Sequence, residues 1–133
     1  MGVGGVAVSG QMLGIGVDLV ECDRFRLALE RRARIAERLF SDAEREYSFR
    51  HKEPVPRLAA RFAAKEAVMK AMGVGLWKFA LRDVEVTRLA SGQPEILLHN
   101  RAAEMAAERG VATWMLTLTH TDSMAMAVAV ALG

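Results

Sequence analysis

Glu66 and Lys70 stand four residues apart in the stretch RFAAKEAVMKAMG, which runs from Arg61 to Gly73 and reads as one helix. Arg61 and Lys65 lie on adjoining ground, so a single carboxylate is set among three cations within ten residues. A glutamate preceding a lysine by four is the favoured orientation for a helical ion pair of roughly 0.2–0.5 kcal/mol. The face is therefore either a solvated, salt-bridged surface or a place where phosphate and a metal ion meet. Asp18 is the second candidate. It interrupts the apolar run MLGIGVDLV, Met12 to Val20, where a carboxylate is costly to bury unless something pairs with it, while Gly14 and Gly16 clear space for a close neighbour. It either holds a metal or caps the helix that follows. His120 opens the polar tip His120-Thr121-Asp122-Ser123 and could serve as a turn residue, a proton carrier or a phosphate donor.

The chemistry open to such a set is bounded by what is missing from it. The chain has no P-loop, no G-x-S-x-G elbow and no histidines paired at zinc spacing. Cys22 is the only cysteine, which excludes disulfide frameworks and cysteine-based zinc sites, suits a reducing cytoplasm, and reads as an inert buried thiol. With carboxylates as the only hard ligands, any metal should be magnesium, which accepts one or two protein oxygens when phosphates and water complete its octahedron.

The elements that must position these residues can be read from periodicity. Ala59, Ala63, Ala67 and Ala71 recur every four residues, giving the Arg57–Met72 helix a smooth face that another backbone can approach closely. Met12 to Val20 is a buried strand. Glu21 to Arg34 is an amphipathic helix with Cys22, Phe25 and Leu29 on one side and Arg24, Arg31 and Arg34 on the other. A short helix, residues 35–40, follows, and the capping box Ser41-x-x-Glu44 starts a third over residues 43–49. Pro54 and Pro56 lie in the break before the long helix, and Gly73 closes it. Residues 83–89 and 95–99 form a hairpin around the Ser91–Pro94 turn, Asn100 caps a helix to Arg109, and residues 113–119 and 124–132 are two further strands. The expectation is an α+β fold with an antiparallel sheet packed against a long helix. Residues 1–11, small and uncharged, read as an N-terminal extension to a single domain over residues 12–133.

At 133 residues and 52% hydrophobic, one domain can bury a real core, and no run approaches the roughly 20 apolar residues of a membrane helix. The chain is expected to be soluble. Residues 24–61 hold eleven Lys or Arg against six Asp or Glu, a local charge of +5 that leaves −3 for the rest, so this half should face an acidic partner.

Three segments together resemble a known family. GIGVDLVECDRF, RFAAKEAVMKAMG and LTHTDSMAMAVAVA are similar in order and spacing to the signatures of bacterial holo-acyl-carrier-protein synthases, the small class of 4′-phosphopantetheinyl transferases. The FALRDVEVTRLASGQPEILL hairpin also follows the family pattern, and the resemblance covers Leu13 to about Ala131. It departs in the long N-terminus and in Met72, where phenylalanine is common.

The resemblance implies a phosphopantetheinyl transferase fold and Mg-dependent transfer of 4′-phosphopantetheine from coenzyme A to a serine of an apo acyl carrier protein, releasing adenosine 3′,5′-bisphosphate. It implies Asp18 and Glu66 as magnesium ligands and Lys70 as a phosphate contact that assists transfer. Arg61, Lys65 and His120 would contact coenzyme A, and Arg24 would grip the acidic helix of the carrier. Glu66 itself or a metal-bound water would take the serine proton. The family also implies a cytoplasmic homotrimer with active sites between subunits, for which the Met124–Leu132 strand and Met115 would supply an interface. Two rivals are weaker. A non-catalytic coenzyme A or carrier-binding module would not need Asp18, Glu66 and Lys70 together. An arginine-rich RNA-binding domain would need stacking aromatics, which are few, so no nucleic-acid partner is expected.

Overall fold

The computed structural model describes residues 10–32, 34–75 and 78–133. Five strands and five helices follow in the order β1 (Met12–Glu21), α1 (Cys22–Arg31), α2 (Ile35–Leu39), α3 (Asp42–Phe49), α4 (Pro54–Met72), β2 (Val84–Arg88), β3 (Pro94–Leu98), α5 (Asn100–Glu108), β4 (Thr113–His120) and β5 (Met124–Leu132). The architecture is the expected α+β, with the strands divided between two antiparallel sheets: a three-stranded one ordered β1-β5-β4 and the β2-β3 hairpin.

Helix α4 is the centre of the molecule because its small residues let the large sheet approach without a side-chain layer between them. Ala59, Ala63 and Ala67 are wholly buried, and Ala71 nearly so. Opposite them, a Cβ added to Gly14 would lie 1.9 Å from the Ala71 carbonyl oxygen, and one added to Gly16 would lie 2.0 Å from that of Ala67. Only glycine permits backbone-to-backbone contact of this kind. In β5 the helix-facing residues are Ala125, Ala127, Ala129 and Ala131, all buried, so small residues line both partner strands. Gly14, Gly16 and Asp18 alternate onto one face of β1, which carries the carboxylate of Asp18 to the same helix.

Several local expectations shift. Helix α4 starts at Pro54, not Arg57, and takes both prolines into its first turn, where the backbone N–H groups have no intrahelical partner and their absence costs nothing. Gly73 ends it in the left-handed conformation at φ 69°. The Ser41–Glu44 capping box is formed at the start of α3, which opens at Asp42. Asn100 is not a cap. His99 occupies that position, while Asn100 is the first helical residue at φ 48°, a left-handed conformation asparagine tolerates, and its Nδ2 donates to Asp83 Oδ1 at 3.1 Å. Of the expected N-terminal extension, residues 1–9 lie outside the described residues, as does part of the loop after Gly73. The Gln11 carbonyl accepts from the Gly133 N–H at 2.8 Å.

A polar network joins the small hairpin to the helices. Ser41 Oγ donates to Glu85 Oε2 at 2.5 Å, and His99 Nε2 lies 3.0 Å from Glu85 Oε1. Burial pushes the Glu85 carboxyl up, but the Ser41 and His99 hydrogen bonds outweigh it and hold the group below the usual carboxylate range. A depressed carboxylate contributes stability that is present above its unfolded pKa, about 4.3, and lost as pH falls through the folded value. The melting temperature of Glu85→Gln is therefore expected to fall less than that of the wild type between pH 6 and about pH 3. Parallel acid curves for the two proteins would show that Glu85 contributes nothing to acid sensitivity.

Candidate active site

Lys70 Nζ donates to Asp18 Oδ1 at 3.0 Å and to the Val17 carbonyl at 3.1 Å. The lysine thus pairs across to β1 instead of back to Glu66 on its own helix. Glu66 stays within electrostatic reach of both. Its pKa is raised, first by burial and next by the charge of Asp18, with Lys70 opposing. Two carboxylates that repel each other beside a cleft are a donor pair for a cation. Among the described residues no cluster of three or more His, Cys, Asp or Glu side chains exists, so a metal held here would draw its remaining ligands from water or substrate oxygens.

Asp18 and Glu66 line an open cleft of about 730 Å³, together with Arg24, Phe25, Arg32, Phe62 and Met124 among others. Its walls come from β1, α1 and α4, with Phe25 and Phe62 stacked at 5.2 Å between ring centroids. Arg24 is 82% exposed and, among the described residues, pairs with Glu21 at 3.5 Å.

Arg61 and His120 are not in this cleft. They line a second one of about 360 Å³ with Tyr47, Arg57, Arg88 and Leu118. The Arg61 guanidinium lies 4.5 Å from the centre of the Tyr47 ring, and that of Arg88 lies 5.1 Å from it. Arg61 is 97% buried by its 3% exposure, its Nη1 donates to the Arg57 carbonyl at 3.2 Å, and its Nε has no hydrogen-bond partner among the described residues. Burial lowers its pKa, and a second guanidinium nearby adds to that. Cations crowded and desolvated in this way favour an anion. Sequence reading missed Tyr47, Arg57 and Arg88. Arg57 was within reach as the residue one turn before Arg61, but nothing in spacing links positions 47, 88 and 120, which only the fold brings together.

Lys65 is a correction. Expected as a coenzyme A contact, it is wholly buried and turned to the opposite side of α4, where its ammonium donates to Glu44 Oε1 at 2.8 Å, to the Leu81 carbonyl at 3.2 Å and to the Val84 carbonyl at 2.5 Å. All three ammonium donors are used internally, so none is left for a ligand. Residues 65 and 66 are about 100° apart around a helix, which is enough for neighbours in sequence to face different surroundings.

Residues 14–129 match the 4′-phosphopantetheinyl transferase superfamily. The chain belongs to that family. It is 44% identical to the holo-[acyl-carrier-protein] synthase of Moorella thermoacetica over 89% of its own length and 92% of the relative. Its fold superposes on the acyl carrier protein synthase of Plasmodium yoelii with ADP bound at a TM-score of 0.85 and 26% identity, covering 94% of this chain and 98% of that one. It superposes on the Helicobacter pylori holo-[acyl-carrier-protein] synthase in complex with coenzyme A at a TM-score of 0.77 and 27% identity, covering 88% and 98%. The transferase thus shares its fold over nearly all of its length with synthases from distant organisms. No helix among its described residues is long and apolar enough to cross a membrane.

Proposed function

We propose that the chain transfers the 4′-phosphopantetheine arm of coenzyme A to a serine hydroxyl of an apo acyl carrier protein, as the names of its relatives imply. The observation that carries the reading is the convergence of Asp18, Glu66 and Arg24 on one cleft, with Lys70 held at its edge by Asp18. The serine oxygen attacks the phosphorus attached to the pantetheine arm, the bond from that phosphorus to the bridging oxygen breaks, and adenosine 3′,5′-bisphosphate leaves. Such a transfer needs charge neutralisation and in-line positioning more than a covalent nucleophile from the enzyme. Lys70 supplies positive charge where the phosphate departs. Glu66, its carboxyl pushed up by burial and by Asp18, is a better proton acceptor than an exposed glutamate. Asp18 and Glu66 would also hold a magnesium ion, which when bound would offset charge on the breaking pyrophosphate. Arg24, exposed in the cleft, meets the acidic carrier. Incubating the protein with coenzyme A, magnesium and a competent apo carrier should add the phosphopantetheine mass to the carrier; an unmodified carrier would overturn the reading. The single buried cysteine suits a reducing cytoplasm, and residues 12–133 act as one domain.

We further propose a homotrimer with active sites between subunits. The sheet face turned away from α4 is apolar: it places Val130 between Ile15 and Met115, and pairs Val17 with Val128 and Leu19 with Met126. Ile15, Val17, Leu19 and Met115 are each at least 51% exposed, an arrangement suited to a subunit interface. A shared site also accounts for the separation of Arg61 and His120 from Asp18 and Glu66 within one chain, because a neighbour's second cleft would complete the first. Glu66→Gln and His120→Ala, each impaired alone, are then expected to regain up to about a quarter of wild-type activity when refolded together, the share of sites that draw both intact residues from different chains. Activity no higher than the mean of the two parents would place each site within a single chain.

A further inference from the structure

The close contact between α4 and the large sheet raises a question of registry. Alanine and glycine surfaces approach closely but carry few ridges, so they resist separation far better than they resist rotation or sliding. On the other side of the helix stands the Lys65 cage. Its carboxylate partner is fixed as firmly as the lysine: Glu44 Oε1 also accepts from the Ser41 N–H at 2.8 Å, and Oε2 from the Val86 N–H at 2.9 Å. Lys65 and Glu44 side chains are both wholly buried. The cage therefore joins α4 to α3, to the Leu81–Asp83 turn and to β2 through directional bonds that have one good geometry.

We propose that Lys65 is a positioning residue whose cage sets the rotation and axial register of α4, and through them the placement of Glu66 relative to Asp18. Lys65 precedes Glu66 by a single residue, about 1.5 Å along the axis, so any turn of the helix that moves Glu66 within the cleft must break the cage. Stability alone does not call for a charged pair here, since buried ion pairs are often replaced by apolar side chains without loss. What an apolar pair lacks is directional bonding.

The inference rests on the placement of the chemistry at Asp18 and Glu66 proposed above. Its test is the double variant K65M/E44Q, which removes both charges, keeps their approximate volume and leaves one amide oxygen to accept from either the Ser41 or the Val86 N–H. K65M alone strands a buried carboxylate and is expected to melt well below the double variant. The double variant is expected to melt below the wild type, because the Leu81 and Val84 carbonyls lose their donor, but to stay folded at the assay temperature and to keep its KM for coenzyme A within about twofold, while kcat falls at least about tenfold, the loss that a displaced catalytic group produces. A folded double variant with wild-type kcat would overturn the inference. So would one that does not fold, which would assign the cage to stability alone. An inactive E66Q beside a fully active K65M/E44Q removes this inference only; an active E66Q removes the placement of the chemistry and the inference with it.

Discussion

Replacing Glu66 by glutamine is expected to lower kcat by about 10³-fold or more while leaving the protein at least as stable as the wild type. The two halves of that expectation have one cause. Glutamine keeps the volume of glutamate but is neutral, a poor ligand for a hard cation and a poor proton acceptor. In the folded protein the Glu66 pKa is raised, by burial first and then by Asp18, so above its ordinary pKa the ionised side chain opposes folding. Sign and window follow directly. The folded state binds the proton more tightly, so the penalty is absent at low pH, where both folded and unfolded chains are protonated, and develops as pH rises above the ordinary value. Thermal melts of wild type and Glu66→Gln should therefore coincide near pH 3 and separate at pH 7, with the variant higher. Turnover measured by intact mass should show the opposite order at pH 7. A variant both inactive and unstable at neutral pH would point to a structural Glu66, and one with normal turnover would remove it from the site.

Glu66, its carboxyl pushed up by burial and Asp18 and unpaired with its own helix's lysine, contrasts with Glu44, which is paired with Lys65, and the contrast explains what could be read from sequence. The period-four alanines, the Gly14–Gly16 clearance and the Ser41–Glu44 cap are local patterns, and each dictates its structure through spacing alone. Asp18 was legible as an isolated charge in an apolar run and Glu66 as the single carboxylate among three cations, and the family resemblance joins the two. Lys65 was not, because a lysine one residue from the candidate-site Glu66 looks the same whether it faces a ligand or a buried carboxylate 21 positions away. Deciding between them needs the position of Glu44, which depends on how α3 packs on α4. The same holds for Tyr47 and Arg88 beside Arg61, whose proximity arises from the hairpin folding back over the helices. The sequence motifs also do not disclose that Arg61 and His120 line a different cleft from Asp18, since a motif records which residues recur together and not which cleft each one lines.

Gly16→Ala should produce one of the two largest stability losses of any glycine-to-alanine change among the described residues, together with a loss of turnover. The added Cβ would sit 2.0 Å from the Ala67 carbonyl oxygen and 2.8 Å from the Ala71 nitrogen, both backbone atoms of a helix buried on nearly every side. No side chain can swing aside. Relief to even 3.0 Å requires the strand and the helix to part by about 1 Å, which loosens the alanine contacts along the whole interface. Overpacking of this kind costs about 3 kcal/mol, or roughly 10 °C in melting temperature for a domain of this size. The same displacement acts on function, because Asp18 follows Gly16 on the same face of β1 while Glu66 precedes Ala67 on α4. Moving the strand away from the helix therefore moves Asp18 away from Glu66, and a 1 Å misplacement of reacting groups costs about 100-fold in rate. Gly14→Ala, which meets the Ala71 carbonyl at 1.9 Å but lies two residues further from Asp18, should match the first effect and show less of the second. Equal losses of kcat in the two variants would mean that activity falls with global stability, and a smaller loss at Gly14 would show that the strand-to-helix distance at Gly16 sets the geometry of the carboxylate pair.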